Sequence, residues 1–290
     1  MKITRRKMLQ SAALTTSAAL LPECSTIKKV PNETEPLKLG LMTYNLAKDW
    51  DIDTIIKNCT ATGFEHVELR TTHAHGVEVT LSKAERAEVR QKFEDAGLKI
   101  SLASAFRYHF NDPAQLRENI EGTKAYTKLA QDIGALGIRV FPNALLVDEG
   151  VPEEVTLQQI GRSLAEVGDF GHEHGVDIRM CVHGKGTKDI SKVKKIIDYA
   201  DTPHAYINWN CNPEDLQGEG FEANFRMLGD RIRGIHMHEL WEDYPYRRFF
   251  ELLKETNYQG YCNAEIETNP DPVRMMRYYR ALFLALQNVI

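Results

Sequence analysis

Short apolar segments alternate with amphipathic stretches through most of the chain, and this pattern predicts alternating strands and helices. Eight apolar segments follow residue 37: KLGLMTY (38–44), HVELR (66–70), LKISLAS (98–104), GIRVFP (137–142), VDIRMCVH (176–183), HAYINWN (204–210), RIRGIHMH (231–238) and GYCNAEIE (260–267). Helices are predicted between them, and those near 82–96 and 113–134 begin at a Ser-x-x-Glu capping box and at Asp112-Pro113. Eight strand–helix units in roughly 250 residues predict an α/β fold, a single-domain (β/α)8 TIM barrel over 37–290. A doubly wound open sheet is the alternative, although no GxGxxG follows the first segment.

The predicted strands have one apolar and one polar register. Because successive side chains of a strand point to opposite faces, each strand can be divided into two sets of residues. In the fifth strand one set contains Ile178 and Met180, and the other contains Cys181 and His183. A parallel sheet covered on both faces is normally apolar throughout, so the polar set is predicted to converge inside the barrel. Unpaired buried charges are costly, and these side chains must therefore contact one another, a metal, water or a ligand.

Polar residues are predicted at the C-terminal ends of the later strands, where barrel enzymes place their active sites. They are His183, Asn210, His236, His238, Glu265 and Glu267. His236 and Glu265 are candidates for a metal pair or an acid–base pair, since imidazole and carboxylate serve in both. The loop THAHG adds His73 and His75 at the same rim. A solvated polar interior without chemistry is the alternative interpretation.

Composition and charge bear on the class of protein. The chain of 290 residues is 42% hydrophobic and 27% charged, which is typical of an ordinary globular protein. A net charge of −5 gives no sign of the clustered Lys and Arg that phosphate binding needs, so no nucleic-acid partner is predicted. The five cysteines, at 24, 59, 181, 211 and 262, have no paired spacing, which disfavours a disulfide framework or a zinc finger.

The N-terminal segment MKITRRKMLQSAALTTSAALLPEC has the layout of an export signal, with a basic start, an uncharged apolar run and small residues. Arg5 and Arg6 after Thr4 resemble a twin-arginine signal, and a Sec signal with an incidental arginine pair is the alternative. We therefore expect residues 1–24 to be an export signal, 25–36 to be a polar linker, and the protein to be periplasmic. Cys24 would anchor the protein to a membrane if it were lipidated, although Glu23 is a poor fit to such a site.

Four segments in the barrel region occur in an order and spacing that resemble a known family. They are GFEHVELR, NDPAQLRENIEGTKAYTKLAQDIGALGIRVF, GIHMHEL and GYCNAEIE, and the resemblance covers about 37–290. The family is that of the xylose isomerase-like barrels, also called sugar phosphate isomerases/epimerases. The resemblance implies a divalent metal at the C-terminal mouth, held by Glu, Asp, His and Glu from strands five to eight, with both glutamates transferring protons. By position, it assigns His236 and Glu265 to this set and His183 to the substrate side, while Glu68 and Arg139 match polar positions common in the family.

Two of the four implied ligand positions depart from the family pattern. Cys181 stands where the family has the strand-five glutamate, and Asn210 stands where it has the aspartate. The loss of two carboxylates weakens the affinity for hard cations such as Mg²⁺ and Mn²⁺. Zn²⁺, which accepts thiolate and imidazole, could still be held. Two alternatives stay open: a zinc or manganese site formed by Cys181, Asn210, His236 and Glu265, and a site without metal.

The predicted function is that of an exported carbohydrate-active enzyme that removes a proton α to the carbonyl of a sugar or keto-sugar, as an isomerase, an epimerase or a keto-sugar lyase. Glu265 would be the base, His236 would stabilise the enolate, and His183 would be a further proton-transfer group. The predicted substrate contacts are Glu68, Arg139, His73, His75, His238 and Glu267. A sugar-binding barrel without catalysis is the alternative, and a DNA-repair endonuclease of the same barrel type is disfavoured by the net charge.

Overall fold

Eight parallel strands close into a barrel in the computed structural model, which describes residues 35–290. The strands are β1 (Lys38–Met42), β2 (His66–Arg70), β3 (Lys99–Arg107), β4 (Gly137–Phe141), β5 (Asp177–Cys181), β6 (Ala205–Trp209), β7 (Ile232–Met237) and β8 (Tyr261–Ala264). Each strand pairs with its neighbours in sequence, and β8 pairs with β1. The prediction of a barrel is confirmed, and the alternative of an open sheet is excluded. The predicted signal (1–24), including Cys24, and most of the predicted linker lie outside the described residues.

Eight helices follow the strands in turn. They are α1 (Ile52–Thr62), α2 (Lys83–Asp95), α3 (Pro113–Ile133), α4 (Glu153–Glu173), α5 (Ile190–Ala200), α6 (Phe221–Leu228), α7 (Tyr246–Glu255) and α8 (Pro272–Leu286). The capping box of α2 is present, because the Ser82 side chain accepts from the Glu85 N–H and the Ser82 N–H donates to Glu85 Oε2 at 2.7 Å. The helix α3 begins after Asp112 with Pro113 at its first position. Between residues 35 and 290, no helix combines the length and apolarity that a membrane span requires.

The apolar register of the strands packs against the helices. Ile178, Met180 and Trp209 are fully buried in the hydrophobic core. Trp209 lies in an aromatic cluster, with its ring 5.7 Å from that of Phe225 and 6.3 Å from that of Phe249. Each such side chain contributes on the order of 1.5–3 kcal/mol when it is fully buried. Because the apolar strand residues face the helices, the polar residues of the same strands fill the lumen, as the alternation predicts.

Several strands end earlier than the sequence pattern predicts. The strand β5 stops at Cys181 rather than at 183, β6 at Trp209, β7 at Met237 and β8 at Ala264. The backbone turns away at these points: Gly184 has a φ of 98° and Cys211 a φ of 49°. A Cβ at Gly184 would overlap the Asn143 carbonyl oxygen, so this turn requires glycine. As a consequence, the predicted site residues after these strands lie on the loops that form the mouth of the barrel.

Candidate active site

A buried ion pair crosses the lumen between β7 and β2. His236 Nε2 lies 2.8 Å from Glu68 Oε2, and both residues are 2% exposed. Burial by itself disfavours the charged form of each group, but the Glu68 carboxylate and a contact with Cys181 raise the pKa of His236 above its ordinary value. In the same way, His236 outweighs the burial of Glu68 and lowers the pKa of that carboxyl. At neutral pH the pair is therefore an imidazolium and a carboxylate.

The ion pair continues into a hydrogen-bonded network that we call the floor, formed by His66, Glu68, Asn263 and His236. Asn263 donates through Nδ2 to Glu68 Oε2 at 3.1 Å and accepts through Oδ1 from His66 Nδ1 at 2.7 Å. The other His66 nitrogen lies 3.0 Å from Ser101 Oγ. Burial lowers the pKa of His66 to about 4, so this ring is neutral. The floor satisfies its own polar groups, as buried groups must.

Glycine makes the floor possible at its most crowded point. A Cβ at Gly40 on β1 would overlap Asn263 Oδ1 and come within 2.9 Å of His66 Nδ1. Gly40 also pairs in register with both His66 and Asn263. The absence of a side chain here lets the amide and the imidazole meet in front of the β1 backbone.

Glu265 lies above the floor at the open mouth. It is the first residue after β8, and its Oε2 lies 3.8 Å from His236 Nδ1. Its side chain is 20% exposed, so water or a small molecule can reach the carboxylate. Because Nε2 of His236 donates to Glu68, the other N–H of the imidazolium is directed to the mouth. A carboxylate and a hydrogen-bond donor are thus placed side by side where a ligand can contact both.

Phe141 connects Arg139 and His183 at the opposite side of the mouth. The Arg139 guanidinium carbon lies 4.0 Å from the Phe141 ring centroid, and the Phe141 and His183 rings are 4.9 Å apart. Arg139 Nη1 donates to the Ser104 carbonyl at 3.0 Å. His183 is exposed on one side, while burial of its other side and then the charge of Arg139 lower its pKa below the ordinary value. His183 is therefore neutral at neutral pH and can accept a proton.

Cys181 and Asn210 contact each other beside His236. The Cys181 thiol donates to Asn210 Oδ1 at 3.5 Å, and Asn210 Nδ2 donates to Asn212 Oδ1 at 3.0 Å. Across the part of the chain that the structure describes, no three His, Cys, Asp or Glu side chains are close enough to hold one metal ion. The Cys181 thiol and the Asn210 amide hydrogen-bond to neighbouring amides, and His236 Nε2 is bound to Glu68. As arranged, these four predicted ligand positions do not fit a divalent cation, which needs charged or unoccupied donors.

The other predicted substrate contacts lie around the rim. His73 is half-buried, and its ring is nearly parallel to that of Tyr44 with the ring centres 6.4 Å apart. Burial, and then the nearby charges of His75 and Arg70, lower the pKa of His73 to about 4. His75 is buried, and both of its nitrogens serve the loop backbone: one lies 2.8 Å from the Arg70 carbonyl and the other accepts from the Val77 N–H at 3.1 Å.

His238 and Glu267 follow β7 and β8. The backbone of His238 is fixed by two tyrosine hydroxyls, and the exposed Glu267 accepts from Asn45 Nδ2 at 3.1 Å. The role of His73, His75, His238 and Glu267 as substrate contacts stays a prediction. The structure places His183, Arg139 and Glu265 at the mouth, and His236 joins Glu265 to Glu68 on the floor.

The structure also places residues at the mouth that the sequence did not assign to the site. Arg70 ends β2, two residues after Glu68, so the polar alternation contained the signal for it. Phe141 has the same relation to Arg139 on β4. Tyr44 and Trp241 are exposed aromatic residues, at 45% and 75%, in the loops after β1 and β7. No periodicity marks loop residues of this kind, and only the barrel geometry shows that they face the ligand side.

The family model for xylose isomerase-like TIM barrels matches residues 56–282, which include β2 to β8. The chain belongs to this family. A curated relative, the inosose dehydratase of Mesomycoplasma hyopneumoniae (strain 7448), is 21% identical over 163 residues, which are 46% of this chain and 54% of that protein. The chain therefore spans about half the length of the curated relatives it matches.

Solved structures with the same fold are similar over most of the barrel. An L-ribulose 3-epimerase has a TM-score of 0.74 at 12% identity, covering 87% of this chain and 95% of that one. The 3-keto-D-glucoside 4-epimerase of E. coli has a TM-score of 0.70 at 14% identity, with 86% and 99% covered. The IolI protein, solved with a zinc atom, has a TM-score of 0.66 at 13% identity, with 87% and 98% covered. At these identities the likeness establishes the fold.

Proposed function

We propose that the protein is a sugar isomerase- or epimerase-like enzyme that removes a proton α to the carbonyl of a sugar or keto-sugar. One observation carries this proposal: the Glu265 carboxylate and the His236 imidazolium lie 3.8 Å apart at an open mouth. The names of related proteins support a small polyhydroxylated substrate, since they include an L-ribulose 3-epimerase, a 3-keto-D-glucoside 4-epimerase and an inosose dehydratase. Removal of an acidic carbon-bound proton is the chemistry that a base beside a cationic donor promotes.

In this mechanism Glu265 accepts the proton from the carbon next to the carbonyl. Negative charge then develops on the carbonyl oxygen, which accepts a hydrogen bond from Nδ1–H of His236, the N–H on the side of Glu265. Removing one such preorganised donor typically costs about 100- to 1,000-fold in rate. Glu68 keeps His236 protonated and fixes its ring through the 2.8 Å contact. Cys181 and Asn210 stand where the family has two carboxylates. The His236 imidazolium is then the positive charge beside the base.

His183 is the second proton-transfer group of the proposal. It faces the mouth from the loop after β5, and its neutral ring accepts a proton at neutral pH. For an epimerisation, a proton taken from one face of the enolate carbon by one group is replaced on the other face by the second group. For an elimination, the proton removed by the base is balanced by one delivered to the leaving oxygen.

Deuterium exchange tests the proposal. The purified protein is incubated in D₂O with a panel of keto-sugars, and deuterium at the carbon next to the carbonyl is measured by NMR. We expect exchange that the Glu265→Gln variant lowers by about 100-fold or more. Glu219→Gln, a change of the same chemistry at an exposed residue in the loop after β6, should exchange like the wild type. Sugar binding by calorimetry with no exchange in any sample would instead favour the sugar-binding barrel without catalysis.

We also propose that the protein is exported to the periplasm by its N-terminal segment. The support is the Arg5–Arg6 pair followed by an uncharged apolar run. The double variant Arg5→Lys, Arg6→Lys keeps both charges but removes the arginine pair, and it should leave the protein in the cytoplasmic fraction. Periplasmic recovery of that variant at the wild-type level would contradict a twin-arginine route and favour the Sec route.

A further inference from the structure

Arg70 and Arg139 lie in one row of the barrel wall. Arg70 pairs in register with Ala103, Ala103 with Arg139, and Arg139 with Arg179, so the row crosses β2 to β5. Arg179 already forms an ion pair with Asp177 at 3.2 Å. Neighbouring strands lie about 4.8 Å apart, which separates the Cα atoms of Arg70 and Arg139 by roughly 10 Å. Ala103 between them has only a methyl group. The space between the two long side chains is therefore not filled by the residue that separates them.

Arg139 has hydrogen-bond capacity that the protein does not use. It is 5% exposed, and its guanidinium lies face-on to the Phe141 ring at 4.0 Å. Nη1 donates to the Ser104 carbonyl, while Nε is buried and has no partner among residues 35–290. A guanidinium stacked on a ring keeps its N–H donors at its edge. Leaving such a buried donor unpaired costs about 1–3 kcal/mol, so Arg139 calls for an acceptor that the described residues do not supply.

Arg70 is similarly without an acid partner. Its Nη1 donates to the carbonyl and the hydroxyl of Thr71, both at 2.7 Å. Among residues 35–290, no Asp or Glu carboxylate forms an ion pair with Arg70 or Arg139, whereas the neighbouring Arg179 pairs with Asp177. The nearby Glu78 is bound by the Tyr126 hydroxyl and by the Thr72 N–H. Burial and then the charge of Arg139 lower the pKa of Arg70, which shows that the two cations are close enough to repel each other.

We propose that Arg70 and Arg139 together bind the carboxylate of an acidic sugar, such as a uronate, on the side of the mouth opposite Glu265. This substrate class rests on the proposed function and refines it. A planar carboxylate offers two oxygens to two guanidinium edges, and its negative charge relieves the repulsion between them. A sugar phosphate fits less well, because TIM barrels commonly bind phosphate at the loops after strands seven and eight, away from β2 and β4.

Calorimetry with charged and uncharged forms of one sugar tests this assignment. The probes are D-glucuronate, D-glucuronamide and D-glucose 6-phosphate. We expect the wild type to bind glucuronate roughly 10- to 100-fold more tightly than the amide, the range of a hydrogen bond to a charged group. Arg70→Gln should abolish this preference. Arg233→Gln, which removes an exposed guanidinium that lies on Tyr206 at the other end of the barrel, should retain it.

Arg139→Lys is the second variant, because it keeps the charge of a buried side chain and removes the planar edge. It should lose most of the preference for glucuronate while its circular dichroism stays that of the wild type. Equal binding of glucuronate and glucuronamide by the wild type would overturn the inference, and tighter binding of the 6-phosphate would overturn the carboxylate assignment. Exchange on neutral keto-sugars without any preference for glucuronate would overturn this inference alone. A preference for glucuronate with exchange that does not depend on Glu265 would overturn the proposed function alone.

Discussion

The floor and the mouth of the barrel are built from the same kinds of side chain, but they differ in how their polar atoms are used. On the floor, His66, Glu68 and Asn263 bind one another and His236 at 2.7–3.1 Å. At the mouth, Glu265 is partly exposed and Arg139 Nε has no protein partner. Polar groups that are satisfied internally fix the structure. Polar groups that are left unsatisfied are available to a ligand, so the division separates scaffold from site.

The floor and the mouth also differ in how their charges are paired. The floor pairs one cation with one anion, whereas the mouth has two arginines in one row that do not form ion pairs in the described structure. Removing a charge from the floor should therefore destabilise the fold. Removing a charge from the mouth should change binding or rate and leave the fold nearly unchanged.

The largest effect is expected for Glu68→Gln. This change leaves the buried His236 without its anion, and breaking one side of a buried pair typically costs about 3–5 kcal/mol. The free energy of unfolding, measured with urea, should fall by roughly 3 kcal/mol. Glu265→Gln at the mouth should change it by less than about 0.5 kcal/mol. Equal losses in the two variants would contradict the distinction between floor and mouth.

The next largest effect concerns the metal positions of the family. Cys181→Glu together with Asn210→Asp restores two carboxylates beside His236 and Glu265, and added negative charge strengthens the binding of hard cations. We expect Mn²⁺ to bind the double variant on the order of 100-fold more tightly than the wild type, by isothermal calorimetry. Cys181→Gln, which places a neutral side chain of glutamate's size at the same position, serves as the control and should bind Mn²⁺ no more tightly than the wild type. An unchanged Mn²⁺ affinity in the double variant would show that the four positions do not converge on one ion.

A smaller loss is expected for Gly40→Ala. The added methyl group would overlap the Asn263 amide oxygen, and overpacking of this kind costs about 1–3 kcal/mol. Asn263→Ala removes the overlapping atoms, so Gly40→Ala should cost much less when it is added to that variant. A double-mutant cycle of unfolding free energies measures this coupling. Strictly additive losses would mean that the crowding at Gly40 has another cause.

The smallest effect is on the pH dependence of the floor. His236 has a raised pKa, so its contribution to stability is complete below its unfolded pKa of about 6.5 and is lost as pH rises towards the folded value. Glu68 has a lowered pKa, so its contribution is present above about 4.3 and is lost as pH falls. The stability difference between wild type and Glu68→Gln should be greatest near pH 5–6 and shrink towards pH 9. Urea unfolding at several pH values measures it, and a difference that grows with pH would contradict the assigned charges.

Much of the fold could be predicted from the sequence because its signals are local. The period-two alternation of β5 to β8 placed the apolar residues against the helices, and Ser82 and Asp112 marked two helix starts. The strand ends were predicted too far along, since His183 and Glu265 continue the alternation although the backbone has already left the sheet. A turn such as that at Gly184 depends on contact with Asn143, which is distant in sequence.

The candidate site was predictable only in part. Alternation indicated that Glu68, Arg139, His236 and Glu265 share the lumen, because inward residues of parallel strands must meet. It could not show that His236 binds Glu68, which lies 168 positions away, or that His75 uses both nitrogens for its own loop. Partner choice among several nearby polar groups depends on distances that no local pattern contains.

The sequence by itself determined the barrel and which residues belong to its polar register, since these follow from residue type and spacing. Only the resemblance to the family implied that Cys181 and Asn210 stand in place of two carboxylates. Only the tertiary structure decided which polar groups neutralise one another and which remain free. The physical reason is that hydrogen bonds and ion pairs act over about 3–4 Å, so they depend on the closure of the barrel around its lumen. That closure places His236 between Glu68 and Glu265 and sets Arg70 and Arg139 in one row.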